Sequence, residues 1–329
     1  MPHPLHLRLL FASIAVSTTC AMTTPAIADT YPSRPINLIV GYPAGGSLDL
    51  TARVLGEALS DELKQTVIIE NAGGAGGTIG AQKAARAAPD GYTLFLGASN
   101  EMAIAGMISD TVRYDSQKDF TSIGMVAAQP LLLTASPAVG TKTAADYLKN
   151  LKAAEPNTFN FGSSGVGTAL HLAGEMINES TGTQAEHIPY RGVTPLVTEL
   201  VNGQLNYGIL VMSSALPHVQ SGKIVALGTT SKQRSAAAPE IPSLSETPGF
   251  EKVDISVWFA LYAPANLPQN VHDTLKNALN KALVSDTLRK KLEASGATVY
   301  EPGIDPVKFQ AEQTERLGHL VRLAGLGKN

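Results

Sequence analysis

The chain has 329 residues, 44% hydrophobic and 16% charged, and its 25 Lys and Arg against 28 Asp and Glu give a net charge of −3. That balance argues against a nucleic acid or an anionic membrane surface as partner, because the overall field would repel either. The single cysteine, Cys20, excludes an internal disulfide and a cysteine-based metal site.

Residues 1–28 read as a secretory signal peptide. Arg8 precedes the short apolar run Leu9 to Val16, and Ala26-Ile27-Ala28 supplies the small-x-small cleavage pattern. The alternative is a buried first helix. A membrane-spanning helix would need about 20 apolar residues, which no later stretch reaches. Ser17-Thr18-Thr19 is a poor lipoprotein site before Cys20, so removal rather than lipidation is expected. Removal leaves 301 residues, enough for two ordinary domains, and shifts the net charge to −4 because Arg8 goes with it.

From Ile36 onward, strand-like and helix-like segments alternate, which predicts an α/β protein with largely parallel strands. Ile36 to Val40 is a buried strand. Gly41-Tyr42-Pro43-Ala44-Gly45-Gly46-Ser47-Leu48-Asp49 is a glycine turn, and Leu50 to Leu59 an amphipathic helix. A strand-to-helix turn of this kind exposes backbone N–H groups at a positive helix end, so an anion can be held there without basic side chains. Thr66 to Glu70 is the next strand, Asn71 to Thr78 a second glycine-rich turn, Ile79 to Ala87 a helix, and Tyr92 to Leu96 a strand ending at Ser99-Asn100. A polar, helix-poor stretch follows from Asp110 to Phe120.

Ile123 to Val126 and Leu131 to Thr134 read as two strands around Gln129-Pro130, where the chain is expected to cross between domains. Thr143 caps a helix through Lys152. Phe159 to Phe161 is a strand, and Gly162-Ser163-Ser164-Gly165-Val166-Gly167-Thr168 is a third turn opening the helix Ala169 to Ser180. Glu186 to Tyr190, Tyr207 to Met212 and Val225 to Thr230 are strands, with a helix from Thr194 to Val201 stopped by Asn202-Gly203. The segment Ala236 to Phe250 is irregular. A strand from Ser256 to Tyr262, helices over Gln269–Leu283 and Asp286–Ser295, the stretch Ala297-Thr298-Val299-Tyr300 and a last helix over Pro306–Leu323 complete the chain.

This order predicts a discontinuous first domain of residues 29–127 and 229–329 and a second domain of residues 128–228. Crossings near Val126–Pro130 and Leu227–Ser231 would form a hinge beside a central cleft. The first and third turns would face each other across it, each at the C-terminal end of a strand. The helices after them carry Gly56-Glu57 and Gly174-Glu175, 118 residues apart, a hint of an internal repeat. Two helix N-termini could clamp the two ends of a dicarboxylate. Taken singly, either turn is as readily a tight connection where glycine adopts positive φ. Gly74-Ala75-Gly76-Gly77 lacks the G-x-G-x-x-G spacing of a dinucleotide site, and Gly162-Ser163-Ser164-Gly165 places no serine in the G-x-S-x-G register of a nucleophile elbow.

Taken together the motifs resemble the periplasmic solute receptors of tripartite tricarboxylate transporters, the Bug receptors. The resemblance rests on Tyr42-Pro43-Ala44-Gly45-Gly46 with Asp49 and Ala52-Arg53, on Glu70-Asn71 through Gly76-Gly77-Thr78-Ile79-Gly80-Ala81, and on Pro89-Asp90-Gly91-Tyr92-Thr93-Leu94. It continues through Phe161 to Thr168, His171-Leu172-Ala173-Gly174-Glu175, His187-Ile188-Pro189-Tyr190-Arg191-Gly192, Gly249-Phe250-Glu251, Trp258 and Ala263-Pro264, and so spans the mature chain. It implies a two-domain type II periplasmic-binding-protein fold that closes on a small carboxylate. It also implies that the turns at Tyr42–Asp49 and Ser163–Thr168 hold one carboxylate end through backbone groups and bridging water, with specificity at the distal end; that arrangement replaces one carboxylate per turn. Two departures stand out. Ala72-Gly73 lies where a basic residue before proline is common. Asn206 lies where Asp is usual, which would disfavour an amino-acid ligand if that Asp reads an amine.

The expected ligand-binding residues are Tyr42, Ala44, Gly45, Gly46, Asp49, Ser99, Ser163, Ser164, Gly165, Gly167, Thr168, His171 and Tyr190. Several have plainer readings: Asp49 as a helix cap, His171 packed under its turn, Tyr190 packing the second domain. Trp258 reads as core. No catalytic residue, metal ligand or cofactor is expected, since the histidines are scattered and no nucleophile–base pair has recognisable spacing. The expectation is a monomeric, non-catalytic receptor that delivers a small organic (di)carboxylate to integral-membrane permease subunits, with no nucleic-acid partner. Alternatives are a ligand sensor feeding a two-component signalling system, or a small-molecule enzyme on the same scaffold.

Overall fold

The computed structural model describes residues 31–327. The leader read in residues 1–28, with Arg8, Cys20 and Ala26-Ile27-Ala28, lies outside the described residues.

Two similar βαβαβ units organise the chain. The first is β1 (Ile36–Val40), α1 (Ser47–Leu63), β2 (Val67–Asn71), α2 (Thr78–Ala85) and β3 (Thr93–Ala98). A π-helical turn over Asn100–Ile104 and the short α3 (Ala105–Ile108) follow. A long strand, β4 (Phe120–Ala135), and α4 (Ala144–Ala153) lead to the second unit: β5 (Asn160–Ser163), α5 (Ala169–Thr181), β6 (Glu186–Pro189), α6 (Val193–Val201) and β7 (Tyr207–Val211). Then come α7 (Met212–Gln220), β8 (Val225–Thr229), β9 (Ser256–Pro264), α8 (Gln269–Leu283), α9 (Asp286–Ala294), β10 (Thr298–Val299) and α10 (Pro306–Leu323).

The strands form a ten-stranded sheet with the path β2-β1-β3-β9-β4-β7-β5-β6, and β8 and β10 pair with β4. In the first unit β1 lies between β2 and β3, all parallel. In the second, β5 lies between β6 and β7, again all parallel. Both units therefore share one topology, in which the first strand is central and its neighbours are added on either side. The hint from Gly56 and Gly174 has a physical basis in helix–sheet packing. A Cβ on Gly174 would lie 2.0 Å from the Phe161 ring, and one on Gly56 would lie 3.0 Å from Ile69 Cδ1.

The alternating pattern predicts largely parallel strands, and the sheet is mixed instead. β9 runs antiparallel to β3 and β4, and β4 runs antiparallel to β7 and β8. The segment between β8 and β9 contains only a 3-10 turn at Leu244–Glu246, and an antiparallel return needs no crossover helix. β4 also runs unbroken through Pro130, where two strands are expected from the sequence. Its residues 120–130 pair with β9 and residues 131–135 with β7 and β8. The missing Pro130 N–H thus falls where the strand changes partners, a place that tolerates it. α7 carries Pro217 in its interior and follows β7 directly, which hides it from sequence reading.

Where β4 changes partners, Thr230 joins three chain segments. Its buried hydroxyl accepts from Leu131 N at 3.1 Å and donates to Ile255 O at 2.6 Å. Leu131 O accepts in turn from Thr230 N at 2.9 Å. Replacing Thr230 with Val keeps the shape but leaves buried backbone groups unpaired, which costs about 1–3 kcal/mol. Urea unfolding should show that loss for Thr230→Val and not for Thr230→Ser. Equal midpoints for Val and wild type would contradict the account.

Candidate functional site

Each unit has its glycine turn after the central strand, at the point where strand order reverses and α/β proteins place ligands. The two turns differ in how their helix N-termini are satisfied. α1 has Gly46 at its N-cap, a residue with no side chain to offer. The amides of Gly46, Ser47, Leu48 and Asp49 find no acceptor among the described residues. Asp49 stands at the third helical position and is 2% exposed. Its Oδ2 accepts from Gly45 N and Arg53 Nε, both at 2.9 Å, and its Oδ1 from Asn71 Nδ2 at 2.9 Å. Burial works to raise the Asp49 pKa, but the bonds from Arg53, Gly45 and Asn71 outweigh it and hold the carboxyl below its usual range. Asp49 therefore braces the loop. Pro43, Ala44 and Gly45 are exposed, and Gly46 is half-buried.

The second glycine-rich turn is a packing surface for the first. A Cβ on Gly41 would lie 2.6 Å from Gly77 O, and one on Gly77 would lie 2.6 Å from Glu101 Oε2. Only bare backbones can come so close. Asn71 Nδ2 donates to Tyr42 O at 3.0 Å. The Tyr42 hydroxyl lies 2.9 Å from Glu101 Oε2 and 3.0 Å from Gly76 O, and accepts from Asn100 Nδ2 at 2.9 Å. Glu101 is 1% exposed. Burial pushes its pKa up to about 7, against the amide of Ala98, its own amide and the Tyr42 hydroxyl, which pull it down.

At the third turn most donors are already used. Ser163 Oγ accepts from Gly165 N at 3.2 Å and donates to Gly165 O at 3.0 Å, and it lies 2.7 Å from His187 Nε2. Gly167 N donates to His171 Nδ1 at 3.0 Å, and Thr168 N to Gly165 O at 3.4 Å. Thr168 caps α5 by accepting from His171 N at 3.4 Å, and Ala169 N donates to Asn100 Oδ1 at 2.8 Å. Gly165 holds φ +141, open to glycine and strained for other residues. Only the Ser164, Val166 and Leu170 amides near this helix start lack an acceptor among the described residues.

His171 is buried, with its ring stacked on His187 at 3.6 Å between centroids and its Nε2 3.5 Å from Glu175 Oε1. Because Nδ1 accepts from Gly167, both ring nitrogens face protein groups. Burial, and then the neighbouring His171, push the His187 pKa down to about 4. Ser99 is fully buried at the end of β3, and its hydroxyl has no partner among the described residues. Tyr190 is half-buried, its N–H donating to Ser163 O at 2.9 Å and its ring edge 3.1 Å from where a Gly162 Cβ would be. Trp258 is buried on β9, its ring edge-on to Phe309.

The structure joins the first and third turns through Asn100, which sequence reading passes over. The nearest signal is Glu101, a charge followed by Met102-Ala103-Ile104. Asn206 pairs reciprocally with Asn160, its Oδ1 accepting from Asn160 N at 3.0 Å and its N donating to Asn160 Oδ1 at 2.8 Å. That places Asn206 at the starting end of β5, away from the turn, so it does not bear on the ligand class. Two pockets border the second glycine-rich turn and the Glu101 junction, one lined by Ile79, Gln82, Lys83 and Arg86, the other by residues including Glu101, Met107, Tyr114 and Thr314. Among the described residues no group of three or more His, Cys, Asp or Glu is placed to hold a metal ion, and no helix is long and apolar enough to cross a membrane.

Comparison with known proteins gives a consistent pattern. The family model described as "Tripartite tricarboxylate transporter family receptor" matches residues 51–326. Protein BugT of Bordetella pertussis is 34% identical over 320 residues, covering 97% of this chain and 98% of BugT. Among solved structures, periplasmic binding protein BugD is 30% identical with a TM-score of 0.82, over 91% of this chain and 100% of BugD. R. palustris Rpa4515 with adipate is 26% identical, also with a TM-score of 0.82, over 90% of this chain and 99% of Rpa4515.

Glu101 and His187 titrate in opposite senses. Glu101, raised from 4.5 to about 7, keeps a proton in the folded state that the unfolded chain releases, so acidification through pH 7 to 4.5 stabilises the fold. His187, lowered from 6.5 to about 4, refuses a proton that the unfolded chain takes, so acidification through pH 6.5 to 4 destabilises it. In wild type these slopes oppose each other. Denaturant unfolding across pH 4 to 8 should show Glu101→Gln losing stability on acidification and His187→Gln gaining it, with wild type between. Parallel profiles for the three proteins would contradict both assignments.

Proposed function

The chain belongs to the tripartite tricarboxylate transporter receptors, and on that premise we propose that it captures a small organic carboxylate between its two βαβαβ units and delivers it to the permease subunits of such a transporter. The family is one of receptors rather than enzymes, and its fold is the mixed α/β fold of periplasmic binding proteins. We assign residues 1–28 to export into the periplasm. The binding unit is then formed by residues 29–127 with 229–329 on one side and 128–228 on the other, hinged where β4 changes partners at Pro130 and at Thr229–Ser231.

The observation that carries this reading is the unpaired start of α1. Its N-cap glycine and three following amides have no acceptor among the described residues, while the start of α5 is largely satisfied from within. A carboxylate is the acceptor this arrangement lacks. Arg53, the basic side chain nearest in sequence, is paired with Asp49, so the acid is held by amides and the helix dipole. Hydrogen bonds to a charged group contribute roughly 1.5–3 kcal/mol each. Three or four of them can reach micromolar affinity, about −8 kcal/mol, after association costs. Ser164, Gly165 and the Tyr190 ring supply the facing wall, and the buried Ser99 hydroxyl lies beneath the first unit's strand ends. The adipate in Rpa4515 is an acid of the expected class.

A single backbone atom tests the reading. Proline is favoured at the first position of a helix, and Gly46 at φ −78 and ψ 171 accepts a following proline. Ser47→Pro therefore deletes one amide donor without disturbing α1. Calorimetry against succinate, malate, adipate and citrate should give binding to at least one acid, weakened roughly 10- to 150-fold by Ser47→Pro and unchanged by Ser47→Ala, with equal thermal midpoints. Undiminished affinity in Ser47→Pro would remove the α1 amides from the site.

A further inference from the structure

The α5 N-terminus is not vacant in the way the α1 N-terminus is. Ala169, its first helical residue, donates to Asn100 Oδ1 at 2.8 Å, and Asn100 comes from the other unit, just beyond β3. We infer that Asn100 is a positioning residue for the carboxylate site: its carboxamide oxygen occupies the α5 N-terminus in place of a ligand oxygen and latches the two units together at their turns. This rests on the carboxylate-receptor reading and adds to it the residue that sets the distance between the turns.

Both ends of the carboxamide are fixed by chemistry. Ala169 N can only donate, so it must face the oxygen. The Tyr42 hydroxyl has one proton, and its acceptors are Glu101 Oε2 at 2.9 Å and Gly76 O at 3.0 Å. The Tyr42 oxygen is left to accept, and Asn100 Nδ2 lies 2.9 Å away to donate. Glu101 is itself held by the Ala98 amide, 2.6 Å from Oε1. The relay Ala98–Glu101–Tyr42–Asn100–Ala169 thus runs from the end of β3 to the start of α5, and Asn100 and Glu101 in it are buried.

An apolar contact supports the same junction. A Cβ on Gly167 would lie 2.0 Å from Ile108 Cδ1, so the third turn is seated on a side chain of the first unit's α3. The latch also explains why a ligand acid would rest mainly on α1: at α5, an amide oxygen of the protein already fills the equivalent place. Aspartate there would put a second carboxylate beside Glu101, whereas asparagine supplies both the acceptor and the donor.

The test uses the full mature protein, first stripped of bound acids. Small-angle scattering of ligand-free protein should show a larger radius of gyration for Asn100→Leu than for wild type. Stopped-flow release of whichever acid binds wild type should be about tenfold faster. Tyr42→Phe removes the group that orients Asn100, and it should show the same two changes in smaller degree. If the relay is real, the double variant is no worse than Asn100→Leu alone. Additive effects would reduce Asn100 and Tyr42 to separate packing roles and overturn the proposal, as would an unchanged radius together with unchanged release. If wild type binds no acid, the receptor reading fails, and the scattering of Asn100→Leu and Tyr42→Phe still decides the latch. Should Asn100→Leu fail to fold, Tyr42→Phe carries both measurements.

Discussion

A buried or half-buried peptide N–H needs an acceptor from protein, water or ligand, and the start of α1 has none among the described residues. Most of the surrounding structure can be understood as keeping it that way. Gly46 offers no capping oxygen. Asp49, the acidic residue of the first turn of α1, is tied to Gly45, Arg53 and Asn71. Asn71, from the end of β2, also holds Tyr42 O. The backbone of the second glycine-rich turn packs directly against Gly41. These contacts make a rigid rim around four unpaired donors, so that little ordering remains to be done when an acceptor arrives.

The third turn is built on the same topology and treated in the opposite way. Ser163, Thr168, His171 and Asn100 take up most of its donors, leaving the Ser164, Val166 and Leu170 amides. Duplicated βαβαβ units thus leave one helix start with its first amides unpaired among the described residues and one with most of them used. With a small negative net charge, the proposed site would attract an acid through the local dipole of a helix start, not through the field of the whole molecule.

Much of this was legible in sequence because it depends on local chemistry. The glycine turns, the Thr143 helix cap and the helices Gln269–Leu283 and Pro306–Leu323 all follow from patterns a few residues long. What was not legible depends on contacts between distant segments. Pro130 reads as a strand breaker until its neighbours are known. The direction of β9 is invisible where no helix precedes it. Asn100 looks like an ordinary loop residue, and becomes a junction only because β3 and α5 meet there. Asn206, which resemblance alone would carry toward the ligand, is committed to Asn160 at the opposite end of its strands. Asp49 reads as a helix cap, but without a capping side chain at Gly46 it serves better as a brace.

The most direct measurement is a backbone amide NMR titration of the stripped protein with an acid it binds. The account predicts that the largest downfield proton shifts fall on Gly46, Ser47, Leu48 and Asp49, with the amide of Ala169 little moved. Leading shifts at Ala169 and Gly167, or around a basic surface such as Lys83 and Arg86, with the α1 amides unmoved, would contradict it.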